Sequence, residues 1–191
     1  MKIYQEKGIE SNNGIDPLKC VTIASNCMRT YRANHMVYET IAVLKRNEYD
    51  FGKRGFFGGR TNAVSLYKDW TKTVDKGVYG RYIDVQSLYP SLQFYDELPV
   101  GEPHWIENPT CIDKIGYYEV DITPPNDLYH PVLPEKKDNK LIFDLLPKTK
   151  SVYTSIELKK ALEKGYNITK FYKALVWDNS SRDLFKSYVA K

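Results

Sequence analysis

The second half of the chain carries the strongest constraint on the fold: a capped helix bracketed by two β-like runs. Residues Tyr117 to Thr123 read as a strand and are stopped by Pro124-Pro125, since proline cannot donate to a sheet ladder. Thr154-Ser155-Ile156-Glu157 is a capping box, in which the Thr and Glu side chains satisfy two orphan amides reciprocally. The helix it opens is expected to run to about Lys164 and to end at Gly165, and Ile168 to Trp177 reads as the next strand. Between the first strand and the capping box, residues 129–150 are rich in Pro and Lys with short apolar runs, which fits an antiparallel hairpin such as Lys140–Leu146. A last helix is expected from about Ser181, with Leu184, Phe185, Tyr188 and Val189 facing inward. This mixed order of strands and helices predicts an α+β fold.

The first half is punctuated differently. Residues 1–15 are polar, rich in Gly and Asn and aperiodic, and read as a loop. Asp16-Pro17 then gives a helix start, an acidic cap before proline at the first helical position. Leu18, Val21, Ala24, Met28 and Tyr31 follow as one apolar stripe, so the helix is expected to reach about Ala33. A loop leading straight into a long helix reads as the tail of a domain. Residues 50–62 hold Gly52, Gly55, Gly58 and Gly59, a cluster that suits a break between lobes. Residues 63–76 are mixed. Val78 to Val85 is β-like, and Ser87 to Pro90 turns the chain into a short helix near Ser91–Phe94.

Composition narrows the partners. The 191 residues include 16 tyrosines and carry a net charge of +4. Tyrosine joins a large ring to a hydroxyl, which suits surfaces that grip a polar polymer, although half-buried strand faces use it equally well. Nine basic residues against four acidic ones lie between Lys45 and Arg81, so the positive charge is concentrated there. A basic stretch beside glycines is what contact with a phosphate backbone needs, and a solvated basic face has the same composition. Cys20, Cys27 and Cys111 include no C-x-x-C pair, and His35, His104 and His130 are scattered, which indicates neither a disulfide framework nor a zinc site. No run is long and apolar enough to span a membrane, and the N-terminus has no secretory pattern.

The chemistry-bearing stretch is Tyr82-Ile83-Asp84-Val85-Gln86-Ser87-Leu88-Tyr89-Pro90-Ser91. An Asp closing an apolar strand before a tight turn is a carboxylate held rigidly beside exposed backbone. Mg²⁺ is commonly held this way, by one or two carboxylates with substrate phosphates completing the shell, and here the Val85 carbonyl would add an oxygen. A strand-end Asp alone is too common to specify a metal.

The pattern D-x-x-S-L-Y-P-S from Asp84 to Ser91 resembles motif A of family B DNA polymerases, of the viral, organellar and linear-plasmid branch that includes protein-primed members. The resemblance implies that Asp84, with the Val85 carbonyl, holds the catalytic metals, two Mg²⁺ ions in the complete enzyme. It implies that Tyr89 packs under the deoxyribose of the incoming nucleotide and excludes a 2′-hydroxyl, while Val85, Ser87 and Leu88 shape the nucleotide pocket. Upstream, Phe56-Phe57-Gly58-Gly59-Arg60-Thr61-Asn62 resembles the Y-x-G-G segment of the same family, which contacts the template strand. Phe56, Gly58, Gly59, Arg60 and Thr61 are the implied DNA contacts, with Phe56 in place of the family's Tyr so that stacking remains and a hydroxyl is lost. A flexible turn is the plain reading of Gly-Gly-Arg; its position ahead of Asp84 favours the resemblance.

The resemblance extends along nearly the whole chain. It implies residues 1–50 as the C-terminal tail of an exonuclease-like domain, 51–62 as a Gly-rich interdomain DNA-contact segment, and 63–191 as a partial palm, an antiparallel sheet with flanking helices and an insertion-like region, ending before the fingers. The implied activity is DNA-directed DNA polymerase, a nucleotidyltransferase, with template and primer DNA and dNTP as partners and, in protein-primed members, a terminal priming protein. The implied setting is the intracellular site where a viral, organellar or plasmid-like element replicates. The family's K-x-x-x-N-S-x-Y-G and Asp-Thr-Asp motifs do not occur in these residues. One metal-binding carboxylate without the triphosphate-gripping Lys predicts that this polypeptide alone does not extend primers. The alternative is a non-catalytic DNA-binding or interaction module derived from a palm.

Overall fold

The computed structural model describes residues 2–11, 14–38, 40–63, 65–69, 71, 80–138 and 140–190. Its centre is a four-stranded antiparallel sheet in the order β2-β7-β3-β6, built from β2 (His104–Glu107), β3 (Ile115–Thr123), β6 (Lys148–Thr154) and β7 (Asn167–Trp177). β3 lies between β6 and β7, with Tyr118 opposite Tyr153 on one side and Ala174 on the other. The expected strands 117–123 and 168–177 are therefore the two central strands. The mixed class is as expected.

Period-2 alternation sends the two faces of this sheet to two different helices. Tyr118, Val120 and Ile122 of β3, Tyr153 of β6 and Ala174 and Val176 of β7 pack with Leu158 and Ala161 of helix α5 (Ser155–Glu163). That helix opens on the expected box, with the Glu157 amide donating to Thr154 Oγ1 at 3.2 Å and the Thr154 amide to Glu157 Oε2 at 3.0 Å. Gly165 follows it with φ +84°, the left-handed stop that glycine makes without cost. Tyr153 is fully buried; its hydroxyl donates to the Pro134 carbonyl at 2.9 Å, and burial pushes that hydroxyl far above the usual phenol range.

The opposite face, with Tyr117, Val152, Leu175 and Trp177, carries helix α3 (Arg46–Arg54) through Phe51. This helix was not expected, because Gly52 and Gly55 read as a break. Gly55 serves packing: a side chain there would stand 3.1 Å from both Tyr117 and Val152, whereas one at Gly52 would make ordinary contact with the Tyr117 ring at 3.4 Å. Local chemistry supports the helix as well, since Glu48 in its first turn accepts the Lys45 amide at 2.7 Å and Lys53 and Arg54 sit in its last turn. Arg54 then ties helix to sheet, donating to Glu119 Oε1 and to the Lys150 carbonyl, each at 2.7 Å.

Other expectations are corrected in detail. Residues 1–15 are not a loop: Lys2–Ser11 form helix α1, which has no apolar stripe to betray it, although Lys2, Gln5, Glu6, Lys7 and Glu10 are good helix formers. The helix expected from Asp16 to Ala33 is broken. Asp16 caps only a 3₁₀ turn, Pro17–Lys19, and α2 (Ile23–Asn34) starts afresh from a Thr22–Ser25 capping box. Of the expected stripe only Tyr31 is buried; Leu18, Val21, Ala24 and Met28 are exposed. Tyr31 packs on Phe185 at 4.8 Å and donates to the Leu184 carbonyl at 2.9 Å. The last helix is a single turn, α6 (Lys186–Val189), because Asn179–Ser181 instead form β8 against β1 (Leu98–Val100). The hairpin exists but lies earlier than Lys140–Leu146, with β4 (Glu135–Lys137) paired to β5 (Lys140–Ile142). Asp121 of β3 accepts the Tyr172 hydroxyl at 2.8 Å and the Lys150 amide at 2.7 Å. Among the described residues no helix is long and apolar enough to cross a membrane.

Gly116, in β3, gives a direct test of this packing. A side-chain carbon there would fall 2.3 Å from the Leu175 carbonyl oxygen and 2.8 Å from Val176 Cα. The clash is with backbone of the neighbouring strand, which cannot rotate aside. Gly116→Ala is expected to cost about 3 kcal/mol in urea unfolding, at the upper end for overpacking; a cost below about 1 kcal/mol would contradict the β3–β7 register.

Candidate nucleotide and nucleic-acid site

Residues 80–85, expected to finish a strand, have no regular structure, and Val78 and Tyr79 lie outside the described residues. Tyr82 and Ile83 are 98% and 81% exposed, and Val85 is exposed too. The physical reason is that an extended segment holds its form only by pairing its backbone. None of the described strands pairs with it. Asp84 is thus presented to solvent by an unpaired stretch and not by a strand end.

The turn that follows is better defined. Ser87 has φ +51°, a left-handed backbone uncommon for a non-glycine residue. It redirects the chain into α4 (Leu88–Tyr95), earlier and longer than the expected 91–94. Pro90 falls in the first turn, where a missing amide leaves no helix bond unmade. The Ser91 amide and hydroxyl both donate to the Ser87 carbonyl, at 2.8 and 2.9 Å, which fixes the turn. Leu88 and Tyr89 leave this first turn exposed, Tyr89 at 77%. The ring of Tyr89 is therefore open to solvent and packs under no aromatic neighbour among the described residues.

The upstream segment divides its aromatic pair. Phe57 turns into the core and meets the Tyr153 ring at 5.6 Å, whereas Phe56 is 69% exposed. Lys136 of β4 donates to the Phe56 carbonyl at 2.9 Å and stands 5.3 Å over the Phe57 ring, so the hairpin holds the segment. Gly58 and Gly59 do not use the left-handed backbone that glycine permits. Among the described residues a side chain at Gly59 would meet nothing within 4 Å, and one at Gly58 would only touch Leu141 at 4.0 Å. The Arg60 guanidinium lies 5.5 Å over Phe143, and a cleft of about 320 Å³ runs between residues 59–62 and 141–143, with Thr61 in its wall. Among the described residues no hydrogen bond, ion pair or ring contact joins Phe56–Thr61 to Asp84–Tyr89. Lys136 was invisible in the sequence, since 80 positions separate it from Phe56.

The family description "DNA polymerase type B, organellar and viral" matches residues 1–191. The chain belongs to the organellar and viral type B DNA polymerases. It is similar to a probable DNA polymerase of Neurospora intermedia, 27% identical over 189 residues, covering 92% of this chain and 18% of that protein. It is also similar to a DNA polymerase of Kluyveromyces lactis, 26% identical over 152 residues, covering 78% of this chain and 14% of that one. In fold it matches Phi29 DNA polymerase complexed with primer-template DNA and incoming nucleotide substrates, with a TM-score of 0.65, 18% identity, and coverage of 95% of this chain and 33% of that chain. Phi29 DNA polymerase complexed with single-stranded DNA matches with a TM-score of 0.63 and 17% identity, over 94% of this chain and 31% of that one. The chain thus spans under a fifth of these curated relatives and about a third of the solved polymerases.

Within this polymerase segment the metal-ligand chemistry is partial. Asp84 offers one exposed carboxylate next to the Val85 carbonyl, and that fits an ion accustomed to one or two carboxylates plus phosphate and water. Among the described residues no group of three or more His, Cys, Asp or Glu gathers to hold a metal.

Proposed function

We propose that this segment serves template-directed DNA synthesis, contributing one metal-binding carboxylate, the sugar-selecting tyrosine and a contact to the DNA backbone. The observation that carries the reading is the juxtaposition of exposed Asp84 with the left-handed turn at Ser87 that delivers Leu88 and Tyr89 outward. In this reading Asp84 and the Val85 carbonyl hold Mg²⁺, which when bound stabilises the attacking and leaving oxygens of phosphoryl transfer. Val85, Ser87 and Leu88 line the dNTP pocket, and the Tyr89 ring rejects a 2′-hydroxyl by bulk. A second carboxylate and a triphosphate-gripping cation come from other parts of the polymerase, so the 191-residue chain by itself leaves primers unextended. We divide the chain as an exonuclease-like tail through residue 50, a DNA-contact segment at 51–62 and a partial palm from 63 onward; a terminal priming protein is the further partner in a protein-primed enzyme.

Gly58 and Gly59 support the DNA contact. Neither backbone angle nor packing among the described residues requires glycine at Gly59, so the requirement is assigned to a partner whose phosphates approach the amides closely. Gly59→Val is accordingly expected to leave stability within about 0.5 kcal/mol, yet weaken binding of single-stranded DNA severalfold. Arg60→Ala is expected to lower affinity and to reduce the slope of log K against log salt by about one. Fluorescence anisotropy across a salt series measures both. Unchanged DNA affinity in both variants would remove the DNA contact from this segment.

A further inference from the structure

Beside the Gly-rich segment, where α3 meets the sheet at Tyr117, lies a second cleft of about 510 Å³ whose occupant is unassigned. Tyr49 and Phe56 contribute two exposed rings, Gly52 and Tyr117 contribute the packed surface between helix and sheet, and Lys53 and Lys136 are the charged residues of its lining. Among the described residues no carboxylate lines it, in contrast to the neighbouring cleft on α3, which includes Asp50 and Glu107. Lys53 Nζ sits 5.8 Å over the Tyr49 ring. Lys136 spends one donor on the Phe56 carbonyl, leaving the rest of its ammonium for another acceptor. Rings flanked by cations alone, in a cleft of ligand size, match the chemistry of an unpaired nucleic-acid strand, whose bases have faces to stack and whose linkers carry negative charge.

We infer that this cleft receives one unpaired base of single-stranded DNA, stacked against Tyr49 and Phe56, with the flanking phosphates on Lys53 and Lys136. The inference rests on the DNA contact proposed for residues 56–61 and extends it across α3 to residues not assigned there. A base inside a duplex is already stacked and cannot enter, so the cleft selects unpaired strand. Aromatic stacking with point-charge lysines reads no base edge, and the site is accordingly tolerant of sequence.

The test uses the 191-residue chain and a fluorescein-labelled oligothymidine, with a matched oligonucleotide of abasic residues as the second probe. Wild type is expected to prefer the thymidine strand over the abasic one. Tyr49→Leu keeps an apolar side chain without the ring, and is expected to lose about fivefold or more in affinity for oligothymidine and to lose the preference. Near-UV circular dichroism and the urea midpoint confirm that the variant is folded. A 5-iododeoxyuridine strand irradiated on the wild-type chain is expected to crosslink at Tyr49 or Phe56. Equal affinity of wild type for the thymidine and abasic strands, or a crosslink mapped away from α3 and Phe56, overturns the inference. If Arg60→Ala and Gly59→Val weaken binding while Tyr49→Leu does not, the base site fails and the backbone contact stands. If Tyr49→Leu weakens binding while the other two variants do not, the base site stands and the backbone contact fails.

Discussion

Asp84→Asn, placed in a full-length polymerase that contains this segment, is expected to lower single-turnover nucleotide incorporation about a thousandfold or more, equivalent to about 4 kcal/mol of lost transition-state stabilisation. Asn preserves size and one acceptor oxygen but removes the charge that, in the proposed role, would hold a divalent ion against phosphate oxygens. The same exposure that leaves Asp84 available makes the substitution harmless to the fold: it has no ion-pair partner among the described residues, so unfolding free energy should stay within about 0.5 kcal/mol of wild type. The combination discriminates sharply, because a residue needed only for structure would lose activity and stability together. Rapid-quench incorporation at saturating dNTP and Mg²⁺ makes the measurement. A variant within tenfold of wild type would remove Asp84 from the metal site and, with it, the assignment of its stretch as the catalytic motif.

How much of this could be read from the sequence depends on where each signal resides. β3, β7 and the box opening α5 were legible because their signals are local: alternating apolar positions, a proline stop, and a Thr and a Glu three residues apart. β6 was not, since Lys-Thr-Lys-Ser-Val-Tyr-Thr looks polar at its start, and its first Lys is buried by partners from elsewhere in the chain. β1, β2 and β8 are three or four residues long, too short for alternation to register. α3 was hidden by its two glycines, of which Gly55 packs tightly against Tyr117 and Val152. At the site, the turn at Ser87 into a short helix was legible, whereas residues 80–85 form no strand, because strand character belongs to a pair and not to one segment. The Lys136–Phe56 contact depends on the hairpin's return across the sheet and has no local sequence trace.

That hairpin is held by a buried lysine, and the second large effect is expected there. The Lys148 side chain is 1% exposed; its ammonium lies 3.3 Å from Glu135 Oε2 in β4 and bonds Asp144 just beyond β5. Lys137, its side chain 44% exposed, reaches the same two carboxylates at 3.2 and 3.7 Å. Burial acts to raise the Asp144 pKa, but hydrogen bonds from Lys148 and the Leu146 amide and the nearby lysine charges outweigh it, holding the carboxyl below its ordinary 3.8. Removing the two halves of this cluster should not be equivalent. Lys148→Met keeps the apolar stem and leaves carboxylates that are partly hydrated and still face Lys137, for an expected cost of about 1 kcal/mol. The double variant Glu135→Gln/Asp144→Asn strands an ammonium with almost no access to water, for an expected cost of about 3 kcal/mol or more in urea unfolding. The pH dependence follows from the depressed Asp144 value: its contribution is complete above the unfolded pKa and is lost as pH falls through the folded one, so the wild type should weaken below about pH 4 in a step that the double variant lacks. Because β4 also carries Lys136, the double variant should loosen Phe56 and weaken single-stranded DNA binding without touching a DNA-facing residue. If Lys148→Met instead proves the costlier change, the cluster is held by the packing of the lysine stem and its charges are incidental.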